Sequence, residues 1–320
     1  MKILYACPFA QRNGYSRAAA DYLMALVEYM EANPGSIELR IAPLFPFREA
    51  NLEDGYEALL HYVDPRPTGA THIVVHAMPK EAARYPWDSV EGKKICLTTW
   101  ETSQMGPVVA HLCPFDKIIV PSKHVVDAII ANGSLEVEIV EHCFDPDFWV
   151  PKTPLPPGDD PYVFYTVGAD TQRKNLDGLI KAYLTGFTEN DNVILRIHSG
   201  ANVLARVNTI KTQSCCEPGY PFPVIEITDG SYLGMDDLYS FHEAGDCFVS
   251  LSRGEGWGLG AFEAALVGND VIVSKYGGPM HFLPQLLPPL FPPYYGDPIG
   301  AGWVQGALTP VFGAPELVTR

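Results

Sequence analysis

Two glutamates flank a glycine-rich stretch in the second half of the sequence. Glu255 and Glu263 stand eight positions apart within "RGEGWGLGAFEAALVG", residues 253–268, and three glycines separate them. Glycine loses more conformational freedom on folding than any other residue, so a stretch this rich in glycine is costly to order. We therefore expect a ligand to approach the backbone closely here, with two carboxylates beside it.

The residue pattern around this stretch is typical of a strand, a loop and a helix. Residues 247–252 are predicted to form the strand, Arg253 to Gly258 the loop at its carboxyl end, and residues 259–267 a helix that ends at Gly268. The first N–H groups of a helix have no partner within it and attract anions. The sequence therefore predicts a phosphate site at the amides of Gly258, Leu259, Gly260 and Ala261.

The two carboxylates suit different parts of a ligand. Glu263 lies at the edge of the predicted phosphate site, where its two oxygens can accept hydrogen bonds from a vicinal diol such as a ribose. Glu255 lies on the loop, and an acid directed at a diphosphate would repel it. We therefore expect Glu255 to contact the neutral hydroxyls of a sugar.

Two alternatives remain for this stretch. The first is an ordinary strand-to-helix turn with two solvated acids, since the helix dipole favours acids in a first turn. The second is a dinucleotide fingerprint, because Gly256, Gly258 and Ala261 fit G-x-G-x-x-A. The motif follows the fourth strand of its domain rather than the first, and the next strand ends in Ser274-Lys275 without an acid for an adenosine ribose.

Short apolar runs alternate with helical patterns along the chain. The predicted strands are residues 2–7, 37–45, 72–78, 93–99, 116–120, 137–142, 162–167, 193–198, 224–228, 247–251 and 270–274. The predicted helices are residues 16–31, 122–133, 175–187, 236–243 and 259–267. This alternation indicates parallel strands joined by helical crossovers. Such sheets bind ligands beyond the carboxyl ends of their strands.

A proline-rich segment, "PKTPLPPGDDP", interrupts the alternation at residues 151–161 and reads as a linker. The sequence therefore predicts two domains, residues 1–150 and residues 162–320. We expect both to be doubly wound α/β domains that face each other across a cleft. After Gly278 the prolines predict no long final helices.

Composition limits the class of partner and the compartment. The chain has 320 residues, and its 38 acidic against 22 basic side chains give a formal net charge of −16. That balance disfavours nucleic acid and anionic membrane surfaces. The seven cysteines form no C-x-x-C pair, which favours free thiols in a reducing compartment. Met1 leads directly into the first predicted strand, so we expect a cytoplasmic protein without a secretory segment.

The stretch "EGWGLGAFE" resembles the E-x7-E signature of retaining GT-B glycosyltransferases of the GT4 type. The following "AALVGNDVIVSKYGG" is similar to that family's continuation, and "VGADTQRKNLDGLIKAY" to its phosphate-binding strand, loop and helix. "TTWETSQM", "DKIIVPSKHVVDAI" and "HCFDPDFWVP" resemble other family segments, so the similarity covers most of residues 1–280. The resemblance implies the two-domain GT-B fold, with Rossmann-like halves.

The resemblance also implies roles for individual residues. Glu263 would bind the ribose of a nucleotide, Glu255 the transferred sugar, and the amides at 258–261 the donor phosphates. Lys174 matches the family lysine that neutralises the diphosphate. The family usually has an arginine after the glycine that corresponds to Gly168, whereas this chain has Ala169. Arg173 is the first candidate to replace that arginine, and Arg253 is the second.

The first half of the chain contributes two further candidates. His76 ends the third predicted strand and resembles the family histidine that contacts the donor sugar, although a strand-end histidine is as often a core residue. Gly14, in "NGYS" after the first strand, resembles the glycine that backs onto the phosphates, with an ordinary βα turn as the alternative.

We expect no cofactor and no metal, with a nucleotide diphosphate sugar as the donor substrate. Asp145-Pro146-Asp147 spells the D-x-D of a metal-dependent class, but it lies away from the predicted phosphate groups and reads as a turn. The acceptor is expected to carry a hydroxyl, and a hydroxylated nucleic acid base stays an alternative acceptor. A sugar-nucleotide-binding protein without catalysis and an NAD(P)-dependent oxidoreductase are the alternative functions.

Overall fold

The computed structural model describes residues 1–64, 66, 69–86, 91–131, 133, 135–153, 159–200, 202–214, 220–286 and 303–306. The chain divides into two compact units, Met1–Asp145 and Pro146–Arg320. The predicted domain boundary lies near residue 150. Each unit contains its own sheet, and each is described here by itself.

The first unit contains a six-stranded parallel sheet in the order β2-β1-β3-β4-β5-β6. Its strands are β1 Lys2–Cys7, β2 Glu38–Pro43, β3 His72–His76, β4 Lys93–Leu97, β5 Lys117–Val120 and β6 Val137–Ile139. All of these strands were predicted, to within about three residues at each end. The apolar runs that marked them supply the core, because Leu4, Ile73 and Ile118 are almost completely buried.

The helices of the first unit are α1 Gly14–Ala32, α2 Pro79–Ala82 and α3 Lys123–Ile130. Helix α1 begins where the side chain of Asn13 accepts a hydrogen bond from the Ser16 amide at 3.0 Å. Helix α3 begins after Ser122, as predicted. Three 3-10 segments, Glu49–Asn51, Glu57–Tyr62 and Gly106–Leu112, were not predicted, because they are too short to show a helical period.

The second unit contains a six-stranded sheet in the order β12-β11-β10-β7-β8-β9. Its strands are β7 Tyr162–Val167, β8 Val193–His198, β9 Val224–Ile227, β10 Cys247–Ser250, β11 Asp270–Ser274 and β12 Trp303–Gly306. The first five are parallel and were predicted. The sixth, β12, pairs antiparallel with β11 at the edge and was not predicted.

The helices of the second unit are α4 Leu176–Gly186, α5 Val203–Ser214, α6 Met235–Glu243, α7 Leu259–Val267 and α8 Pro279–Leu286. The sequence analysis missed α5 altogether. Its apolar face is only Val203, Val207 and Ile210, which are buried against the sheet, and the other positions are mostly polar. Helix α8 was not predicted; it has eight residues and contains Pro284, and the expectation that no long final helix follows Gly278 does not exclude it.

Each sheet reverses its strand order at one point. In the first unit the reversal lies between β1 and β3, and in the second between β7 and β10. Loops that leave such neighbouring strands diverge to opposite sides of the sheet and leave a crevice at the carboxyl ends. The predicted phosphate loop after β7 and the glycine-rich loop after β10 therefore meet at this point.

The segment before β7 packs against the second unit. Trp149 is buried, and its ring lies 6.1 Å from the rings of Tyr239 and His242. The Lys152 amide donates to the Val267 carbonyl at 2.8 Å. Residues 154–158 of the predicted linker lie outside the described residues, as do Cys215, Cys216 and residues 287–302 and 307–320. The five cysteines that are described are free thiols, and none of the helices that the structure describes has the length and apolar character to cross a membrane.

The contact between Gly245 and the ring of Tyr165 generates a prediction about stability. A Cβ atom at position 245 would overlap the ring of this buried tyrosine on β7. We expect Gly245→Ala to lower the free energy of unfolding by about 1–3 kcal/mol, because the core must shift to admit the methyl group. Gly186→Ala is the control, since nothing lies within 4 Å of the added atom. Equal melting temperatures for the two variants would contradict this packing.

Candidate functional site

An open pocket lies beyond the carboxyl ends of β7 and β10, where the strand order of the second sheet reverses. Six of the predicted site residues line it: Gly168, Lys174, Glu255, Gly258, Gly260 and Ala261. Serine hydroxyls at positions 199, 250 and 252 also line it. The topology and the predicted motif therefore converge on one place, which is where doubly wound sheets bind ligands.

Glu255 makes two contacts with the predicted phosphate cations. Its Oε1 lies 2.6 Å from Lys174 Nζ and 3.0 Å from Arg173 Nη1. The Glu255 side chain is 13% exposed, whereas those of Lys174 and Arg173 are 31% and 28% exposed. The three charges therefore form a half-buried cluster with a net charge of +1.

The protonation of Glu255 follows from this cluster. Burial raises the pKa of the Glu255 carboxyl, but the charges of Lys174 and Arg173 lower it by more, and the pKa lies below its ordinary value. Glu255 is therefore ionised at neutral pH. The sequence analysis expected this carboxylate to contact sugar hydroxyls, and it did not foresee that the two cations would be held by it.

The loop that carries Arg173 and Lys174 is joined to the loop that carries Glu255 by backbone contacts. The Arg253 amide donates to the Arg173 carbonyl at 2.8 Å, and Arg173 Nη1 donates to the Gly254 carbonyl at 2.6 Å. Arg253 Nη2 also donates to Asn175 Oδ1 at 3.1 Å. Arg253 therefore holds the two loops together on their outer side, and it does not line the pocket.

The glycine pair after β11 fixes the backbone of Glu255. The Gly278 amide donates to the Glu255 carbonyl at 2.7 Å. A Cβ atom on Gly277, whose φ is +86°, would lie 2.7 Å from the same carbonyl oxygen, and one on Gly278 would overlap the Gly256 carbonyl. The pair is glycine because two loops pack backbone against backbone here.

Helix α7 begins at this loop, as predicted. Gly258 precedes it with a φ of +97°, a left-handed conformation that favours glycine. Gly260 lets the helix approach β10, since a Cβ atom there would lie 3.0 Å from Phe248 Cζ. One expectation needs correction, because the Ala261 amide already donates to the Gly258 carbonyl at 3.0 Å. The amides of Gly258, Leu259 and Gly260 remain the candidates for an anion.

Gly168 lies at the end of β7 with a φ of +149°, where its backbone turns into the pocket. Its amide donates to the His198 carbonyl at 3.1 Å, and its carbonyl accepts from Ser199 Oγ at 2.7 Å. A Cβ atom at this position would lie 3.9 Å from Lys174 Cε. Gly168 therefore sets the distance between the strand end and the lysine.

Glu263 lies in a different environment from Glu255. Its side chain is 5% exposed, and its Oε2 lies 3.4 Å from Nε2 of His242, which is completely buried. Glu263 is not among the described residues that line the pocket. The sequence analysis placed Glu263 at the edge of the phosphate site, and the structure places it one helical turn inside α7, against α6.

The two candidates in the first unit differ in exposure, since His76 is buried and Gly14 is exposed. His76 is 3% exposed, and its Nδ1 lies 2.9 Å from the hydroxyl of Tyr5. Burial, together with His142, lowers the pKa of His76 to about 3, so the imidazole is neutral. Gly14 is the first residue of α1. These positions favour the alternatives of a core histidine and an ordinary βα turn, and their contact with a donor stays a prediction.

Within the described part of the chain, no three His, Cys, Asp or Glu side chains are grouped so that they could hold a metal ion. The Asp145-Pro146-Asp147 segment precedes the first strand of the second unit, and residues 146–148 form a turn. The structure therefore agrees with the reading of this segment as a turn.

The sequence analysis missed three residues that contact the site residues. Tyr165 on β7, His242 on α6 and Asn269 before β11 form a buried polar group beside Glu263. His242 lies in the predicted helix 236–243, whereas Asn269 lies between the predicted helix 259–267 and the predicted strand 270–274. Nothing in the spacing of these residues indicated that they would meet.

Comparison of the sequence with protein-family models and with curated proteins gives no match. Comparison of the structure with solved structures gives matches. The lipopolysaccharide outer core galactosyltransferase WaaB, in its apo form, is 13% identical over 87% of this chain and 81% of that chain, with a TM-score of 0.58. WaaG, a glycosyltransferase involved in lipopolysaccharide biosynthesis, is 15% identical over 89% and 84%, with a TM-score of 0.55.

A third structure was solved with a bound donor analogue. It is described as trehalose-6-phosphate from E. coli bound with UDP-2-fluoro glucose, and it is 10% identical over 87% of this chain and 85% of that chain, with a TM-score of 0.55. Two structures of TarM have TM-scores of 0.49 and 0.47, and this chain spans only 42% and 41% of their length.

At these identities the comparisons establish the fold. The chain folds as two parallel-sheet α/β domains, an architecture that it shares with WaaB and WaaG over most of its length. The predicted fold class is confirmed in this respect.

Proposed function

We propose that the chain is a glycosyltransferase that moves a sugar from a nucleotide diphosphate sugar to a hydroxyl acceptor. The observation that carries the proposal is the cluster of Lys174, Arg173 and Glu255 at the carboxyl ends of β7 and β10, in which Lys174 and Glu255 line the pocket and Arg173 contacts Glu255. Two cations beside the N terminus of α7 suit a diphosphate. A carboxylate at the same place suits the hydroxyls of a sugar. The shared fold with WaaB and with a structure holding UDP-2-fluoro glucose supports the proposal.

The diphosphate binds by replacing Glu255 as the ion-pair partner of Lys174 and Arg173. Lys174 and Arg173 have side chains long enough to turn from the carboxylate towards a phosphate in the pocket. The amides of Gly258, Leu259 and Gly260 add donors that need not move. The backbone at Gly168 leaves space for the phosphate beside Lys174.

The same exchange releases Glu255 for the sugar. Once the cations face the phosphates, the carboxylate accepts hydrogen bonds from sugar hydroxyls, as the sequence analysis expected. Positive charge develops on the sugar in an oxocarbenium-like transition state. The ionised Glu255 stabilises that charge, while Lys174 and Arg173 stabilise the departing diphosphate.

We infer that transfer retains the anomeric configuration by attack on the same face that the diphosphate leaves. The bond from the anomeric carbon to the phosphate oxygen breaks, and a bond to the acceptor oxygen forms. The leaving phosphate takes the proton of the acceptor hydroxyl. The charges come from Lys174, Arg173 and backbone amides, so the proposal includes no metal and no cofactor. Resemblance to the GT4 type supports retention, and no acceptor class follows from the pocket.

The direct test is a transfer assay with a panel of nucleotide sugars. We expect one donor to be consumed, by transfer or by slow hydrolysis, and Lys174→Met to lower turnover by roughly 10²–10³-fold, the scale of one electrostatic donor. Lys181→Met is the control, because Lys181 is an exposed lysine on α4 of the same unit. Donor binding without turnover would favour the sugar-nucleotide-binding protein instead. Binding of a nicotinamide cofactor in place of a sugar nucleotide would favour the oxidoreductase.

A second prediction concerns metal. Turnover measured in excess EDTA should equal turnover without it, since lysine, arginine and amides supply the positive charge. Loss of turnover in EDTA that is restored by magnesium or manganese would contradict the metal-independent proposal. In that case Asp145 and Asp147 would be the first candidates for replacement.

The third prediction concerns the competition between Glu255 and the diphosphate for two cations. Glu255→Gln removes the competing charge, so inorganic pyrophosphate and nucleoside diphosphates should bind about tenfold more tightly, while turnover falls. The measurement is calorimetric affinity alongside the turnover of the matching sugar nucleotide. Glu189→Gln changes the net charge equally at an exposed position and is the control. Weaker pyrophosphate binding by Glu255→Gln would show that Lys174 and Arg173 do not receive the phosphates.

A further inference from the structure

Four buried polar side chains form a chain of contacts that ends at Glu263. Asn269 Nδ2 donates to the Tyr165 hydroxyl at 2.7 Å, and the hydroxyl lies 2.8 Å from His242 Nδ1. On the other side of the imidazole, His242 Nε2 lies 3.4 Å from Glu263 Oε2. Tyr165, His242 and Asn269 have no exposed surface, so water does not compete for these contacts.

The direction of these contacts follows from one backbone group. Asn269 Nδ2 also donates to the His242 carbonyl at 2.7 Å, and a carbonyl only accepts, so the amide nitrogen must face this side. The Tyr165 hydroxyl therefore accepts from Asn269, and we assign its own proton to the contact with His242 Nδ1. A neutral imidazole that accepts at Nδ1 carries its proton on Nε2. The chain of contacts thus directs an N–H group at Glu263.

The contact between His242 and Glu263 is longer than a hydrogen bond. N–H···O bonds are usually about 2.7–3.2 Å long, and among the described residues Nε2 has no hydrogen-bond partner. A buried donor left without an acceptor is unfavourable, and the acceptor in front of it is the Glu263 carboxylate. A shift of a few tenths of an ångström by either side chain completes the bond.

The four residues come from four elements around the pocket. Tyr165 lies on β7, one of the two strands at the pocket, and Glu263 lies on α7, whose N terminus faces the pocket. His242 lies in the last turn of α6, and Asn269 precedes β11. The rings of Tyr165 and Phe248 pack around the imidazole at 5.5 Å and 6.2 Å, which holds it in place.

We propose that His242 is a positioning residue for Glu263, oriented by Tyr165 and Asn269, and that recognition of the ribose hydroxyls depends on it. The inference rests on the proposed function together with the role that the resemblance implies for Glu263, which is to bind the ribose of the donor. A carboxylate has about four lone-pair sites, so an anchor at Oε2 is compatible with hydroxyls bound at the remaining sites. An anchored carboxylate distinguishes a nucleotide with a ribose diol from one without it better than a freely rotating carboxylate does, because less conformational freedom is lost on binding.

The test compares nucleotides with and without the ribose hydroxyls. Affinities of ADP, GDP and UDP are measured against those of their 2′,3′-dideoxy counterparts, and inorganic pyrophosphate reports the phosphate site alone. The variants are Glu263→Gln, His242→Phe, His242→Gln and Tyr165→Phe. Tyr183→Phe is the control, since it removes another buried hydroxyl of the same unit, bonded to the Val193 and Val224 carbonyls. Melting temperatures are recorded for every variant.

We expect the preferred nucleotide to bind about tenfold more tightly than its dideoxy counterpart, the low end for hydrogen bonds to a charged group. His242→Phe, Tyr165→Phe and Glu263→Gln should reduce this ratio towards one without changing the affinity for pyrophosphate. His242→Gln should restore part of the ratio, because its amide donates near the position of Nε2. Tyr183→Phe should keep the full ratio.

The outcomes separate the two proposals. If Glu263→Gln keeps the ratio, Glu263 does not bind the ribose, and the role that the resemblance implies for it is wrong while the proposed transfer at Lys174, Arg173 and Glu255 stands. If Glu263→Gln loses the ratio while His242→Phe and Tyr165→Phe keep it, the positioning role is overturned and the ribose contact stands. A fall in pyrophosphate affinity together with melting temperature in the His242 and Tyr165 variants would overturn the positioning role in favour of a general structural one.

Discussion

The contact between Lys174 and Glu255 at 2.6 Å is the interaction on which the arrangement of the pocket depends. The two residues are 81 positions apart in the sequence, and each lies on a loop after one of the strands that meet where the sheet order reverses. Arg173 adds a second cation to the same carboxylate oxygen. These ion pairs join the two loops in addition to the backbone contacts between them, and a bound diphosphate would compete with Glu255 for both cations.

The backbone around this contact explains why glycine occurs where it does. Gly277 and Gly278 allow the loop after β11 to pack directly on the backbone of Glu255, and Gly258 takes a left-handed conformation before α7. These positions hold the main chain of Glu255 still, while the lysine and the arginine remain on long, partly exposed side chains. Glu255 therefore stays in place, whereas Lys174 and Arg173 can turn from it towards another anion.

The sequence predicted the elements well, because buried parallel strands are apolar runs and crossover helices have a clear period. The resemblance to the GT4 type implied one donor site for Lys174 and Glu255, and both line the same pocket. The sequence analysis failed where the signal depends on tertiary contacts. Helix α5 has too few apolar positions to stand out, and β12 lies far from its partner in the sequence. The contact of His242 with Glu263 depends on the packing of α6 against α7, which no spacing records.

The spacing of eight positions places the two glutamates of the motif in different environments. Glu255 faces two partly exposed cations beside an open pocket, so an incoming anion can change its partners. Glu263 faces the imidazole of His242, which contacts a buried tyrosine inside the core, away from the residues that line the pocket. An anion that takes Lys174 and Arg173 from Glu255 therefore acts at the first glutamate, whereas the second glutamate stays in the core. The eight positions between them carry the chain from the pocket, where Glu255 lies, into the core against α6, where Glu263 lies.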